Sequence, residues 1–109
     1  METTTPTNSL VPSARVKALV SQVSEKIHHS LGNELKVIWF GSWVRGNAQP
    51  HSDIDLAISS PQPIDFGDFS RLLDWIDDLP TLFSIDLVNL NEASPELRNQ
   101  IERYGIIID

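Results

Sequence analysis

The chain has 109 residues, eight basic against fifteen acidic side chains, a formal charge of −7 and no cysteine. A chain of this size builds one small core, its charge excludes capture of a nucleic-acid backbone by simple electrostatics, and the lack of cysteine excludes a disulfide framework or a thiolate metal site. No apolar run approaches the roughly 18 residues of a membrane span, and Met1 to Asn8 lacks the basic and apolar stretches of a secretory leader. The expectation is a cytoplasmic domain over 13–109 behind a disordered tail over 1–12.

From Ser13 to Leu31 the apolar positions Val16, Leu19, Val20, Val23, Ile27 and Leu31 follow helical spacing, with Ser13 as N-cap and Gly32-Asn33 as the stop. Leu35 to Phe40 is a short apolar run rich in β-branched and aromatic residues, which predicts a buried strand ending at Gly41. Ser42 to about Asn47 follows as a short helix, and Asn47 to Ser52 is rich in turn formers. Asp53 to Ser59 alternates Asp53, Asp55 and Ala57 with Ile54, Leu56 and Ile58, so this strand is expected to have one dry face and one functional face. After Pro61 and Pro63, the positions Phe66, Phe69, Leu72, Leu73, Ile76 and Leu79 mark a second amphipathic helix that stops at Pro80. Ile85 to Leu90 reads as a third strand carrying one carboxylate, Asp86. Ser94-Pro95-Glu96 opens a last helix that runs to Tyr104, and Ile106 to Ile108 closes the chain as a short strand.

Aspartate is disfavoured inside strands, and an unpaired buried carboxylate is expensive. Asp53, Asp55 and Asp86 therefore call for a common explanation. Residues i and i+2 of a strand share a face roughly 6.6 Å apart, so Asp53 and Asp55 can converge on hard cations that prefer oxygen ligands. If the third strand lies beside the second, Asp86 joins them and the three can hold two divalent ions. About ten residues upstream, Gly41-Ser42 turns from a strand into a helix and offers backbone N–H groups to a phosphate, with Arg45 one helical turn on. The bland alternatives are a turn cap at Asp53, solvent-facing Asp55 and Asp86, and a surface ion pair at Arg45. Ser52 is read as a turn residue, His28, His29 and His51 as ordinary surface or partly buried side chains, and Trp39 and Trp75 as core. Trp43 is left open between stacking on a base and packing on the core.

Gly41-Ser42-Trp43-Val44-Arg45-Gly46 followed by Ser52-Asp53-Ile54-Asp55-Leu56 resembles the signature of the DNA polymerase beta nucleotidyltransferase superfamily, in its smallest, MNT-type form. The resemblance continues through the Asp86 strand and Asn91 to Leu97. It implies an α+β fold, with a small mixed sheet and helices packed mainly on one face. It further implies that Gly41 and Ser42 bind the phosphates of ATP, which Arg45, by its spacing one helical turn on, is expected to reach as well. Asp53, Asp55 and Asp86 would be the catalytic residues and the ligands of two Mg²⁺ ions, with Asp86 also accepting the proton of the attacking hydroxyl. Polymerases and antibiotic-modifying relatives carry a further domain for template or drug, for which 109 residues leave no room, so the acceptor is expected on another protein. MNT-type proteins are typically paired with a helical HEPN protein as antitoxin and toxin, which implies transfer of AMP to a tyrosine of that toxin within a hetero-oligomer. Two alternatives stand beside this: a non-catalytic antitoxin that occludes its partner, and a transferase for a small-molecule acceptor whose second domain is supplied separately.

Overall fold

The computed structural model describes residues 14–108; the expected tail and the Ser13 cap lie outside them. The elements in chain order are α1 (Ala14–Leu31), β1 (Lys36–Phe40), α2 (Ser42–Arg45), β2 (Ile54–Ser59), α3 (Phe66–Asp77), β3 (Ile85–Asn89), a 3₁₀ turn (Leu90–Glu92), α4 (Pro95–Tyr104) and β4 (Ile106–Ile108). Every expected element is present, and the differences lie at the ends. Leu35 is buried but precedes β1, Leu90 leaves the third strand for the 3₁₀ turn, and Asp53 stands just before β2.

The sheet has the order β3-β2-β1-β4. β1 pairs antiparallel with β2 and β4, whereas β2 and β3 run parallel and are joined by the α3 crossover. The period-2 alternation of each strand sorts its side chains onto two faces. On one face Val37, Trp39, Ile54, Leu56 and Ile58 pack beneath Val16, Leu19, Val20, Val23 and Ile27 of α1 and Leu72 and Ile76 of α3. On the other, Ile38 and Ala57 form a smaller core with Leu90 and with Ile101 of α4, flanked by Phe40, Val88 and Leu97. The two longer helices thus share one face, as expected.

One expectation needs correction. Ala57, which the alternation puts on the functional face with Asp53 and Asp55, is fully buried in the smaller core. α4 covers that half of the face, and the functional part shrinks to the row Phe40, Asp55 and Asp86 at one end of the strands. Two caps set the helices that frame this arrangement. The Asp65 carboxylate accepts the Asp68 N–H at 3.0 Å to start α3, and the Ser94 hydroxyl accepts the Leu97 N–H at 3.2 Å to start α4.

Candidate active site

The parallel register sets Asp55 directly opposite Asp86 and Ile54 opposite Ile85. Adjacent strands lie about 4.8 Å apart, so the two carboxylates leave the same face side by side. Across the other edge of β2, Phe40 is the antiparallel partner of Asp55. A hydrogen bond from the Ile54 N–H to the Ser84 carbonyl, 2.9 Å, fixes the mouth of the β2–β3 pair where Asp53 and Asp86 begin.

Burial raises the Asp55 carboxyl from 3.8 to about 6, helped by the like charges of Asp86 and Asp53 and opposed by the Arg45 guanidinium. Asp53, although outside the strand, is thus close enough for its charge to act on the Asp55 carboxyl. Asp53 and Asp86 are themselves exposed. Among the described residues, no three His, Cys, Asp or Glu side chains lie close enough to enclose a metal ion. The donor set is nevertheless suited to a hard divalent cation: all-oxygen, anionic and mutually repulsive, so that a positive charge among these groups would relieve the strain carried by Asp55.

The turn after β1 is built against that carboxylate. Gly41 has φ +89°, and a Cβ there would collide with the Asp55 carboxylate, lying 3.0 Å from its Cγ. Only glycine allows this conformation and this close approach. α2 is a single turn, shorter than the Ser42–Asn47 helix expected, because Gly46 adopts the left-handed conformation and returns its N–H to the Ser42 carbonyl. The Asn47 N–H bonds the same carbonyl at 3.1 Å. So short a helix has little dipole, and any anion held here depends on the first-turn N–H groups and on Arg45.

Trp43 packs on the larger core, edge-to-face with Phe83 at 6.0 Å, and its indole N–H donates to the Ser52 carbonyl at 3.0 Å. That answers the question left open by the sequence: the ring anchors the loop between α2 and β2. Ser52 closes the same loop, accepting the Gln49 N–H on its hydroxyl at 2.7 Å, as its reading as a turn residue requires. His51 and His29 are exposed, and partly buried His28 approaches the Leu35 carbonyl with Nε2 at 3.3 Å.

Two recesses adjoin the carboxylates. A cleft of about 210 Å³ is lined by Phe40, Gly41, Arg45, Asp55, Gln100 and Tyr104. Another of about 310 Å³ opens at the β3 edge between Asp86 and the stretch through Leu79, Thr81, Phe83 and Ser84. Gln100 and Tyr104 carried no signal in the sequence, since a polar pair at i, i+4 on an exposed helix face looks like ordinary solvated surface.

The chain resembles known proteins in sequence and in fold. It is 35% identical over 72 residues to the probable protein adenylyltransferase MntA of Haemophilus influenzae, a match spanning 65% of this chain and 63% of that protein, just under two-thirds of the relative's length. A chain of a toxin–antitoxin crystal structure with AMP-PNP superposes with a TM-score of 0.62 at 26% identity, over 80% of this chain and 70% of that one. A solved structure assigned to the minimal nucleotidyltransferases gives 0.63 at 27% identity, over 86% and 93%. Residues 25–108, from within α1 through β4, match the polymerase beta nucleotidyltransferase domain, and this span holds the Gly41-Ser42 turn and all three aspartates. The chain belongs to the polymerase beta nucleotidyltransferase family.

Proposed function

We propose that this protein is a Mg²⁺-dependent nucleotidyltransferase that moves AMP from ATP to a hydroxyl, a tyrosine of a HEPN-type toxin, and so acts as that toxin's antitoxin in the cytoplasm. The observation that carries the reading is the register Asp55 opposite Asp86, with Gly41 pressed against the Asp55 carboxylate. It sets the Gly41-Ser42 turn, whose N–H groups could meet a phosphate, beside a pair of carboxylates at one end of one sheet. The resemblance to an MntA adenylyltransferase and to a toxin–antitoxin chain solved with AMP-PNP supports the nucleotide and the class of partner.

In this reading Asp53, Asp55 and Asp86 would hold the metal, which when bound neutralises the phosphates and the charge that develops at the reacting phosphorus. The N–H groups of the Gly41-Ser42 turn and the Arg45 guanidinium orient the phosphates. Asp86, exposed at the sheet edge and open to the second recess, receives the incoming hydroxyl and takes its proton. The hydroxyl oxygen forms a bond to the α-phosphorus, the bond from that phosphorus to the β-phosphate oxygen breaks, and pyrophosphate leaves on the opposite side.

The test is to mix the protein with ATP, Mg²⁺ and the partner toxin and to weigh the toxin by intact-mass spectrometry. One or more AMP units should appear on the toxin, and the Asp53→Asn, Asp55→Asn double variant should fold and transfer none. A toxin that stays unmodified yet is neutralised would replace this reading with simple occlusion.

A further inference from the structure

Resting on the nucleotidyl-transfer reading, we propose that Gln100 and Tyr104 of α4 form the wall that holds the β- and γ-phosphates of the bound nucleotide and binds the departing pyrophosphate. An in-line displacement places the attacking and leaving oxygens on opposite sides of the reacting phosphorus. The two recesses divide in the same sense. Asp86 belongs to the recess at the β3 edge, while the cleft lined by Gln100 and Tyr104 lies toward β1 and contains Gly41 and Arg45 but not Asp86. If the hydroxyl arrives at Asp86 and the reacting phosphorus sits over Asp55, the leaving phosphates fall into the cleft beneath α4.

The chemistry of that cleft fits a phosphate tail. Its lining holds one cation, Arg45, and one carboxylate, Asp55; α4 contributes only an amide and a phenol, neutral groups that donate hydrogen bonds. In a chain of net charge −7 a wall free of further carboxylates suits an anion.

The wall is also held in place. Ile101, between the two residues, is buried in the smaller core. Gly105, next to Tyr104, donates its N–H to the Ile101 carbonyl at 2.8 Å. A Cβ at Gly105 would collide with Ile38 and come within 3.4 Å of the Trp39 carbonyl, so the end of α4 lies flush on β1. Tyr104 is itself 56% exposed and Gln100 is exposed, so their side chains are dispensable to the fold.

The experiment is calorimetric titration of the full chain with a non-hydrolysable ATP analogue and with AMP, each with Mg²⁺, for the wild type, Gln100→Ala, Tyr104→Phe and the double variant. Each single change should weaken the ATP analogue by about tenfold, as expected for a hydrogen bond to a charged group, and leave AMP binding unchanged. Unaltered affinity for the analogue in the double variant overturns the proposal while leaving the nucleotidyl-transfer reading intact. Equal losses for AMP and the analogue overturn it too, by moving the contact to the nucleoside or α-phosphate. AMP found covalently on Tyr104 after incubation with ATP overturns it by making the phenol an acceptor. A wild type that binds neither nucleotide removes both this inference and the reading on which it rests.

Discussion

Asp55 carries the electrostatic tension of the site. Its carboxyl titrates near 6 in the folded chain because of burial and the neighbouring Asp86 and Asp53, against 3.8 unperturbed. The folded state therefore binds this proton more tightly than the unfolded state, and stability falls as pH rises from about 4 through about 6. A two-unit shift corresponds to about 3 kcal/mol, and because the group is only half-buried, solvent screening reduces the effect to about 1 kcal/mol. Asp55→Asn should accordingly be more stable than the wild type by about 1 kcal/mol above pH 7. The gain should vanish near pH 4, as read from urea unfolding at both ends of the window. Mg²⁺ should stabilise the wild type at neutral pH and have a much smaller effect on the variant.

At the scale of elements, the single turn of α2 is held on the larger core by Trp43 and Val44. Trp43 ties it both to the core through Phe83 and to the following loop through Ser52. Trp43→Phe keeps a ring in the core and removes the hydrogen bond, and should lower stability by about 1–2 kcal/mol. The amide protons of residues 47–52 should exchange faster, which hydrogen-exchange mass spectrometry would show. The elements themselves were largely legible from sequence, because the helical spacing of α1 and α3 and the Ser94-Pro95 start of α4 are local signals. So was the pairing of Asp55 with Asp86, since aspartates in apolar strands conflict with their surroundings. Ala57 misled because alternation gives the face but not its cover, and α4 is contributed from about 40 residues further on. Gln100 and Tyr104 were silent for the same reason: their meaning depends on which strand end the helix reaches. The extent of α2 turned on the left-handed Gly46, which a glycine-containing stretch permits but does not demand.

Over the whole molecule, the sheet is covered unequally. α1 and α3 cover most of one face and α4 part of the other, and neither cover reaches the edge strand β4, where Ile106 beside Trp39 on the first face and Ile107 beside Ile38 on the second are about half exposed, at 51% and 52%. An apolar edge strand is a template for pairing with another chain. Ile107→Lys should reduce concentration-dependent self-association in sedimentation velocity. Its effect on the urea midpoint should correspond to less than about 0.5 kcal/mol, the usual range for exposed substitutions.

The parallel pairing of β2 with β3 also sets a timetable. Asp53 and Asp55 gain their neighbour Asp86 only after the α3 crossover closes a loop of about 30 residues, a slow, entropically costly step compared with forming local contacts. A chain emerging from the ribosome can assemble β1 and β2 with the turn between them while the third carboxylate is still unmade. On this order the Gly41-Ser42 turn can form before the carboxylate group is complete, and Asp86 joins Asp55 only with the pairing of the third strand.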